Sequence, residues 1–279
     1  MSVISDLKLE LGDVVTMKFI SSAFTEASAV KLRNIRGAFE ANRQFFDEIS
    51  HVYHLVKLVS SKRPKNIKLA KSEDKTLYVA VTSNQRFYGN LNVNIIRSFL
   101  SDTERVECDR LVLGSTGKEY LESTKFKNQY SSLLFAKDFP TKEETSAFLE
   151  ASTKFSKVIL YYPKFVTLIT QTVAKVDITQ SAKREEVGSE EEIHIIFEPE
   201  LAAILTFFER QVRSLLFLRV MLEADLSRTA ARLLTMSAAE ERADQLIKEK
   251  KIVLRKVMRS FINNQLLETF AGMSKWKGK

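Results

Sequence analysis

Few residues able to do chemistry in this chain stand close enough together to do it. His51 and His54 are three apart and could share a metal on one helix face. A stable site needs further donors, and only the Asp47 carboxylate is at hand, so they read as surface histidines. The single cysteine, Cys108 in ERVECDRLVL, excludes an internal disulfide and any multi-cysteine zinc site. Its place just ahead of an apolar run predicts a buried structural thiol. Three histidines and one cysteine leave little for a nucleophilic triad, and no G-x-S-x-G occurs. The pair Glu143 and Glu144 and the run Glu190 to Glu192 fit helix caps and solvated loops. Gly89 stands alone in NQRFYGNLNVN, where a dinucleotide site needs G-x-G-x-x-G, and G-x-x-x-x-G-K-[ST] is absent. No catalytic residue, cofactor site or metal site is expected.

The elements that would position a site fall into three zones. Residues 1–60 contain no proline and carry a thin helical stripe through Leu7, Leu11, Val14, Val15, Lys18, Ser21, Ser22, Thr25 and Ala29. Ile35, Phe39, Phe46, Ile49, Tyr53 and Val56 continue it, with local looseness expected at Gly12 and Gly37. In residues 61–199 strands are expected at 76–83, 109–116, 131–139, 157–162, 167–178 and 194–199. Helices are expected at 92–102, 117–124 and 141–155, and a charged loop at 182–192. Such alternation predicts a parallel αβ sheet covered on both faces.

Residues 200–279 form the third zone. From Glu200 to Ala271 there is neither glycine nor proline, which predicts one unbroken helix of about 108 Å. Pro199 would open it. Its stripe runs Leu201, Ile204, Phe208, Val212, Leu215, Leu218, Leu222, Leu226, Ala230 and Leu233, and the N-terminal helix is the one companion long enough to cover it. Met221, Met236, Met258 and Met273 read as packing residues.

The net charge of +8 is concentrated here. Lys248, Lys250, Lys251, Arg255, Lys256, Arg259, Lys275, Lys277 and Lys279 outnumber Glu249 and Glu268, so the last 32 residues carry +7. A basic end seeks an acidic partner: nucleic acid, lipid headgroups or acidic protein loops. No apolar run approaches the ~20 residues that cross a bilayer. The opening MSVISDLKLELGDVV lacks the layout of a secretory signal, so a soluble, non-exported chain is expected.

LEADLSRTAARLLTMSAAEERADQLI (222–247) resembles the C-terminal helix of the gamma subunit of F-type ATP synthases, with its pattern near L-E-x-x-x-S-E-x-A-A-R-M-x-A-M. The shared positions are Leu222, Glu223, Ser227, Ala230, Ala231, Arg232, Met236, Ala239, Ala243, Leu246 and Ile247. IIFEPE, SKVILYYPKF, TSNQRFYGNLNVNIIR, VVTMKFISSA and KLRNIRGAFEANRQFFDEI are similar to further family segments, in family order. The last two lie about seven residues further apart than in the family, one heptad, which keeps the stripe in phase. LRKVMRSFINNQLLE (254–268) departs most, with Met258-Arg259, Asn263 and Gln265 replacing family residues, so the chain looks like a divergent branch.

The resemblance implies an α/β protein: an antiparallel coiled coil of the two terminal helices plus a central Rossmann-like α/β domain without a nucleotide site. It implies a rotor shaft that does no covalent chemistry, surrounded by the alpha and beta subunits of a catalytic ring. An epsilon-type subunit and membrane ring subunits would be further partners, with one copy of this chain per hetero-oligomer. The chain would be a peripheral membrane protein on the cytoplasmic face of the cell membrane, without direct membrane insertion. Leu215, Leu222, Leu226 and Leu233 would form the coiled-coil seam. Met17, Lys18, Arg228, Arg232, Arg255, Arg259, Phe261, Asn263, Gln265 and Leu266 would meet the collar or bearing. The residues alone leave two alternatives: a nucleic-acid-binding α/β protein using its basic C-terminal helix, and a coiled-coil adaptor.

Overall fold

A computed structural model of the chain describes residues 2–61, 73–124, 126–179 and 201–276. The expected strand at 194–199, the charged loop at 182–192, Pro199 and His194 lie outside them. The order is α1 (Ser2–Ser61), β1 (Glu73–Val81), α2 (Leu91–Thr103), β2 (Asp109–Leu113), α3 (Ser115–Ser123), β3 (Ser131–Leu133), α4 (Lys142–Ser152), β4 (Phe155–Phe165), β5 (Gln171–Asp177) and α5 (Leu201–Trp276). The chain divides into two compact units, residues 1–28 with 232–279, and residues 29–231. Both long helices contribute to both units.

In the unit of residues 29–231, a five-stranded sheet has the order β3-β2-β1-β4-β5. The first four strands are parallel, as the alternating pattern predicts. β5 corrects that pattern: it runs antiparallel to β4, from Phe165 opposite Gln171 to Ile159 opposite Asp177. Residues 166–170 are too few for a crossover, and a hairpin is the connection they permit. β3 is also shorter than the apolar run SSLLFAKDF suggests. The chain leaves the ladder after Leu133, and the Phe135 carbonyl and Asp138 carboxylate turn to accept from Asn84 instead.

One sheet face packs Val79, Val81, Leu113, Val158 and Leu160 on Phe148 of α4 and on Phe217, Val220, Met221 and Ala224 of α5. The opposite face packs Ala80, Val112 and Tyr161 on Ile95, Ile96 and Phe99 of α2 and Leu121 of α3. The α5 face through 217, 220, 221 and 224 lies beside the stripe read from sequence. In this unit α5 therefore buries two faces, the second against Phe46 and Tyr53 of α1 through Val212 and Leu215. Glu143 and Glu144 open α4 as expected. Thr141 and Glu144 form a reciprocal capping box, and the backbone N–H groups of Thr141 and Ala136 hold the Glu144 carboxyl below its usual range.

Beside Val15, Ser22 and Ser50, the covered positions of α1 form one series: Ile4, Leu7, Leu11, Val14, Lys18, Ser21, Thr25, Ser28, Leu32, Ile35, Phe39, Asn42, Phe46, Ile49, Tyr53 and Val56. Their spacing alternates three and four without a break, the 3.5-residue repeat of a helix lying along a partner. Gly12 and Gly37 do not interrupt α1, and neither would meet an atom within 4 Å if given a Cβ. In the unit of residues 1–28 and 232–279, α1 and α5 run in opposite directions. Lys18 pairs with Asp244 at 2.8 Å and Glu10 with Lys250.

Candidate functional site

An open α/β sheet offers a ligand crevice at the carboxyl ends of its strands, where the strand order reverses. Here β1 is flanked by β2 and β4, so the reversal falls at its end, Thr82 to Asn90. Side chains of this chain fill that place. The Thr82 hydroxyl donates to the Leu113 carbonyl and accepts the Gly117 N–H at 3.1 Å. The Asp138 carboxylate accepts the N–H of Asn84 at 2.6 Å, that of Gln85 at 3.3 Å and the Tyr88 hydroxyl at 2.6 Å. The Asn84 side chain accepts the Ser115 N–H at 2.9 Å and donates to the Phe135 carbonyl. Gly114, at φ 95°, passes so close that a Cβ would lie 2.8 Å from the Thr82 carbonyl carbon. Phe87 takes a left-handed φ of 70° and its ring is exposed.

Arg228 of α5 closes the crevice. It is fully buried, donating from Nη1 to the Thr82 carbonyl at 3.1 Å and from Nη2 to the Asp138 carbonyl at 3.0 Å. Its Nε is buried without an acceptor among the described residues. The burial corrects one expectation: Arg228 cannot meet an external collar, because it stands inside the domain. The family pattern has Glu at this position, so the charge is reversed as well.

Two further ionised groups lie within the same stretch of α5. Glu223 lies near the Tyr162 hydroxyl of β4, and burial holds its carboxyl above the usual range. Asp225 accepts Lys31 Nζ of α1 at 2.8 Å, its own side chain 6% exposed and that of Lys31 45%. The run Glu223 to Ala231 is buried throughout. Helical periodicity finds its apolar members, but gives no sign that the charged ones between them are also inside.

The four residues expected in the seam differ in burial. Leu215 and Leu226 are buried, whereas Leu222 and Leu233 are half-buried. Met221 and Met236 are core residues, but Met258 and Met273 are exposed, which corrects their reading as packing residues. Cys108 is half-buried rather than buried, and desolvation pushes its thiol up. His51 is exposed, and among the described residues no cluster of His, Cys, Asp and Glu could hold a metal.

On the outer surface of the unit of residues 1–28 and 232–279 lie most of the other expected contacts. Met17 is 65% exposed, Lys18 is engaged by Asp244, and the Arg232 guanidinium lies 5.9 Å from the Phe24 ring centre. α5 is covered at Met236, Ala243, Ile247, Lys250, Leu254 and Val257, and then the pattern stops. From Met258 to Met273 every residue is exposed, including Arg259, Phe261, Asn263, Gln265, Leu266, Leu267 and Phe270. Arg255, one turn earlier, is exposed too. With Glu10 beside Lys250, Val3 and Ile4 come abreast of α5 near Val257, its last covered position.

What the geometry defines is a class: two long helices in antiparallel contact, with a mostly parallel sheet whose ligand crevice is filled by its own arginine. A family model described as ATP synthase matches residues 4–275. The ATP synthase gamma chain of Desulforamulus reducens is 27% identical over 275 residues, covering 96% of each chain. That of Psychrobacter cryohalolentis is 24% identical over 294 residues, covering 98% of each. A chain in the Euglena gracilis mitochondrial ATP synthase structure (OSCP/F1/c-ring, rotational state 3) has the same fold, with a TM-score of 0.56 at 17% identity. The match covers 91% of this chain and 94% of that one. A chain in the Tetrahymena thermophila mitochondrial ATP synthase central stalk and c-ring gives a TM-score of 0.57 at 19% identity, over 79% and 99%. The chain belongs to the ATP synthase gamma family. Neither the nucleic-acid reading nor the adaptor reading is favoured by these matches.

Proposed function

We propose that this chain is the central rotor shaft of an F-type ATP synthase or ATPase. It is a non-catalytic subunit, coupling ion-driven rotation to ATP synthesis or hydrolysis in a surrounding ring of alpha and beta subunits. The family match over residues 4–275 carries the reading, and the antiparallel ion pairs between α1 and α5 support it. Zones 1–60 and 200–279 wind into a coiled coil, with Leu215, Leu222, Leu226 and Leu233 in its seam. Zone 61–199 is an α/β domain that holds no nucleotide and docks on an epsilon-type subunit and the membrane ring. One copy serves each complex, peripherally attached at the cytoplasmic face of the cell membrane.

Rotation does work in such a machine because an asymmetric surface contacts each ring site differently in turn, shifting it between states of different affinity. Met17, Lys18, Arg232, Arg255, Arg259, Phe261, Asn263, Gln265 and Leu266 meet the collar and bearing. Phe261, Leu266 and Phe270 supply an apolar end that a closed sleeve can grip without specific bonds. Exposed ion pairs are worth ~0–1 kcal/mol each, which suits basic contacts that must break at every step.

Co-expression with alpha and beta subunits of the same source tests the reading. A stable complex holding one copy of this chain by native mass spectrometry is expected, with ATPase activity that pumps ions once the membrane ring is added. A chain that elutes alone, or one whose affinity for DNA falls steeply with salt, overturns it.

A further inference from the structure

We propose that Asp225 and Arg228 together form a rotational lock fixing α5 about its own axis against the rest of its unit. The two lie one turn apart, yet each is anchored to a different part of the unit. Asp225 takes Lys31 of α1 at 2.8 Å. Arg228 donates to the carbonyls of Thr82, after β1, and Asp138, after β3. At 3.6 residues per turn their side chains leave α5 in directions about 60° apart, one toward α1 and the other toward the ends of the strands.

The apolar contacts of this stretch cannot do the same work. Phe217, Val220, Met221 and Ala224 give α5 its grip on the sheet, but apolar burial has no preferred direction. A helix can trade one ridge-and-groove match for the next at modest cost. Hydrogen bonds are lost within a few tenths of an ångström and some tens of degrees. Bonds from Arg228 to two carbonyls, with Asp225 held by Lys31, therefore resist both a turn of α5 about its axis and a slide along it. The lock also gives a role to the cation buried at the crevice of the sheet.

The use of such a lock rests on the central-stalk reading: load applied to the sheet reaches α5 as torque rather than as slip. Its existence rests only on the geometry of the unit, so two measurements separate them. In the isolated full-length chain, spin labels on α2 and on the α5 segment before Arg228 report one narrow distance. Arg228→Met and Lys31→Glu should each broaden it. The double variant Lys31→Glu/Asp225→Lys, which restores the ion pair with the charges exchanged, should narrow it again. Lys31 is partly exposed, so its replacement leaves the core intact even if Arg228→Met fails to fold.

In the assembled complex the same single variants should keep ATP hydrolysis while ions pumped per ATP fall about five-fold, the size of effect expected from losing one coupled pair. The double variant should regain the ratio. Unchanged distance distributions in folded single variants overturn the lock. Broadened distributions with an unchanged pumping ratio overturn its use in torque transfer. A wild-type chain that does not assemble removes the central-stalk reading and leaves the spin-label result standing.

Discussion

At the scale of single residues, the costs of burying charge decide what is expected of α5. Taking a guanidinium out of water costs several kcal/mol, and two hydrogen bonds to neutral carbonyls return a similar amount. Arg228→Met should therefore move the stability of the folded chain by no more than about 2 kcal/mol in either direction, read by urea denaturation. A larger loss would mean that Arg228 holds the fold together and does more than orient α5. Glu223 gives a dependence on pH. Burial raises its folded value above its unfolded one, so the folded state binds the extra proton. Stability should then fall as pH rises from the ordinary carboxyl value, about 4.3, through the raised one. Glu223→Gln should flatten melting temperature against pH in that window and leave the acid side unchanged. Gly114 is the third case. Any side chain there meets the backbone of Thr82 and Ser83 below 3.0 Å at a φ that L residues rarely adopt. Gly114→Ala should cost at least ~2 kcal/mol by the same denaturation measurement.

Among elements, the two long helices were readable because their covered positions recur at fixed spacing and nothing breaks them. Strands β1, β2, β4 and β5 were readable to within a few residues for a similar reason, whereas β3 stops at Leu133, well short of its apolar run. Connectivity was harder, because parallel and antiparallel partners share one apolar pattern, and only the five residues after Phe165 tell a hairpin from a crossover. The second buried face of α5 was also hidden. Phe217, Val220, Met221 and Ala224 repeat with the same period as the seam and blur into it. Arg228 stayed illegible because a charged helical residue predicts solvent, and its buried acceptors are backbone carbonyls, which no side-chain pattern marks. Leu226 tests the element directly. It is 2% exposed, so Leu226→Ala should destabilise by about 2–5 kcal/mol. Half-buried Leu222→Ala should cost clearly less in the same melt.

For the whole molecule, local stability should follow the division into covered and bare helix. Amides of α5 between Val212 and Val257 are flanked by packed side chains on at least one face. Those from Met258 to Met273 belong to a helical stretch that no other described residue covers, and isolated helices of that length are marginal in water. Hydrogen–deuterium exchange on the free chain should show the last segment exchanging orders of magnitude faster than residues 212–231, and slowing once ring subunits bind. Equal protection of both segments in the free chain would contradict the exposure pattern. The charge adds to this contrast, since nearly all of the net +8 sits in the last 32 residues.

That bare helical end also sets a condition on how the chain is made. Phe261, Leu267 and Phe270 are 40%, 66% and 65% exposed on a stretch that no other described residue covers. A surplus copy in the cell would present this greasy hook to any hydrophobic surface, other surplus copies included. On the proposed shaft reading, synthesis in step with the surrounding subunits, or a chaperone to hold the segment until then, becomes part of the protein's working requirements.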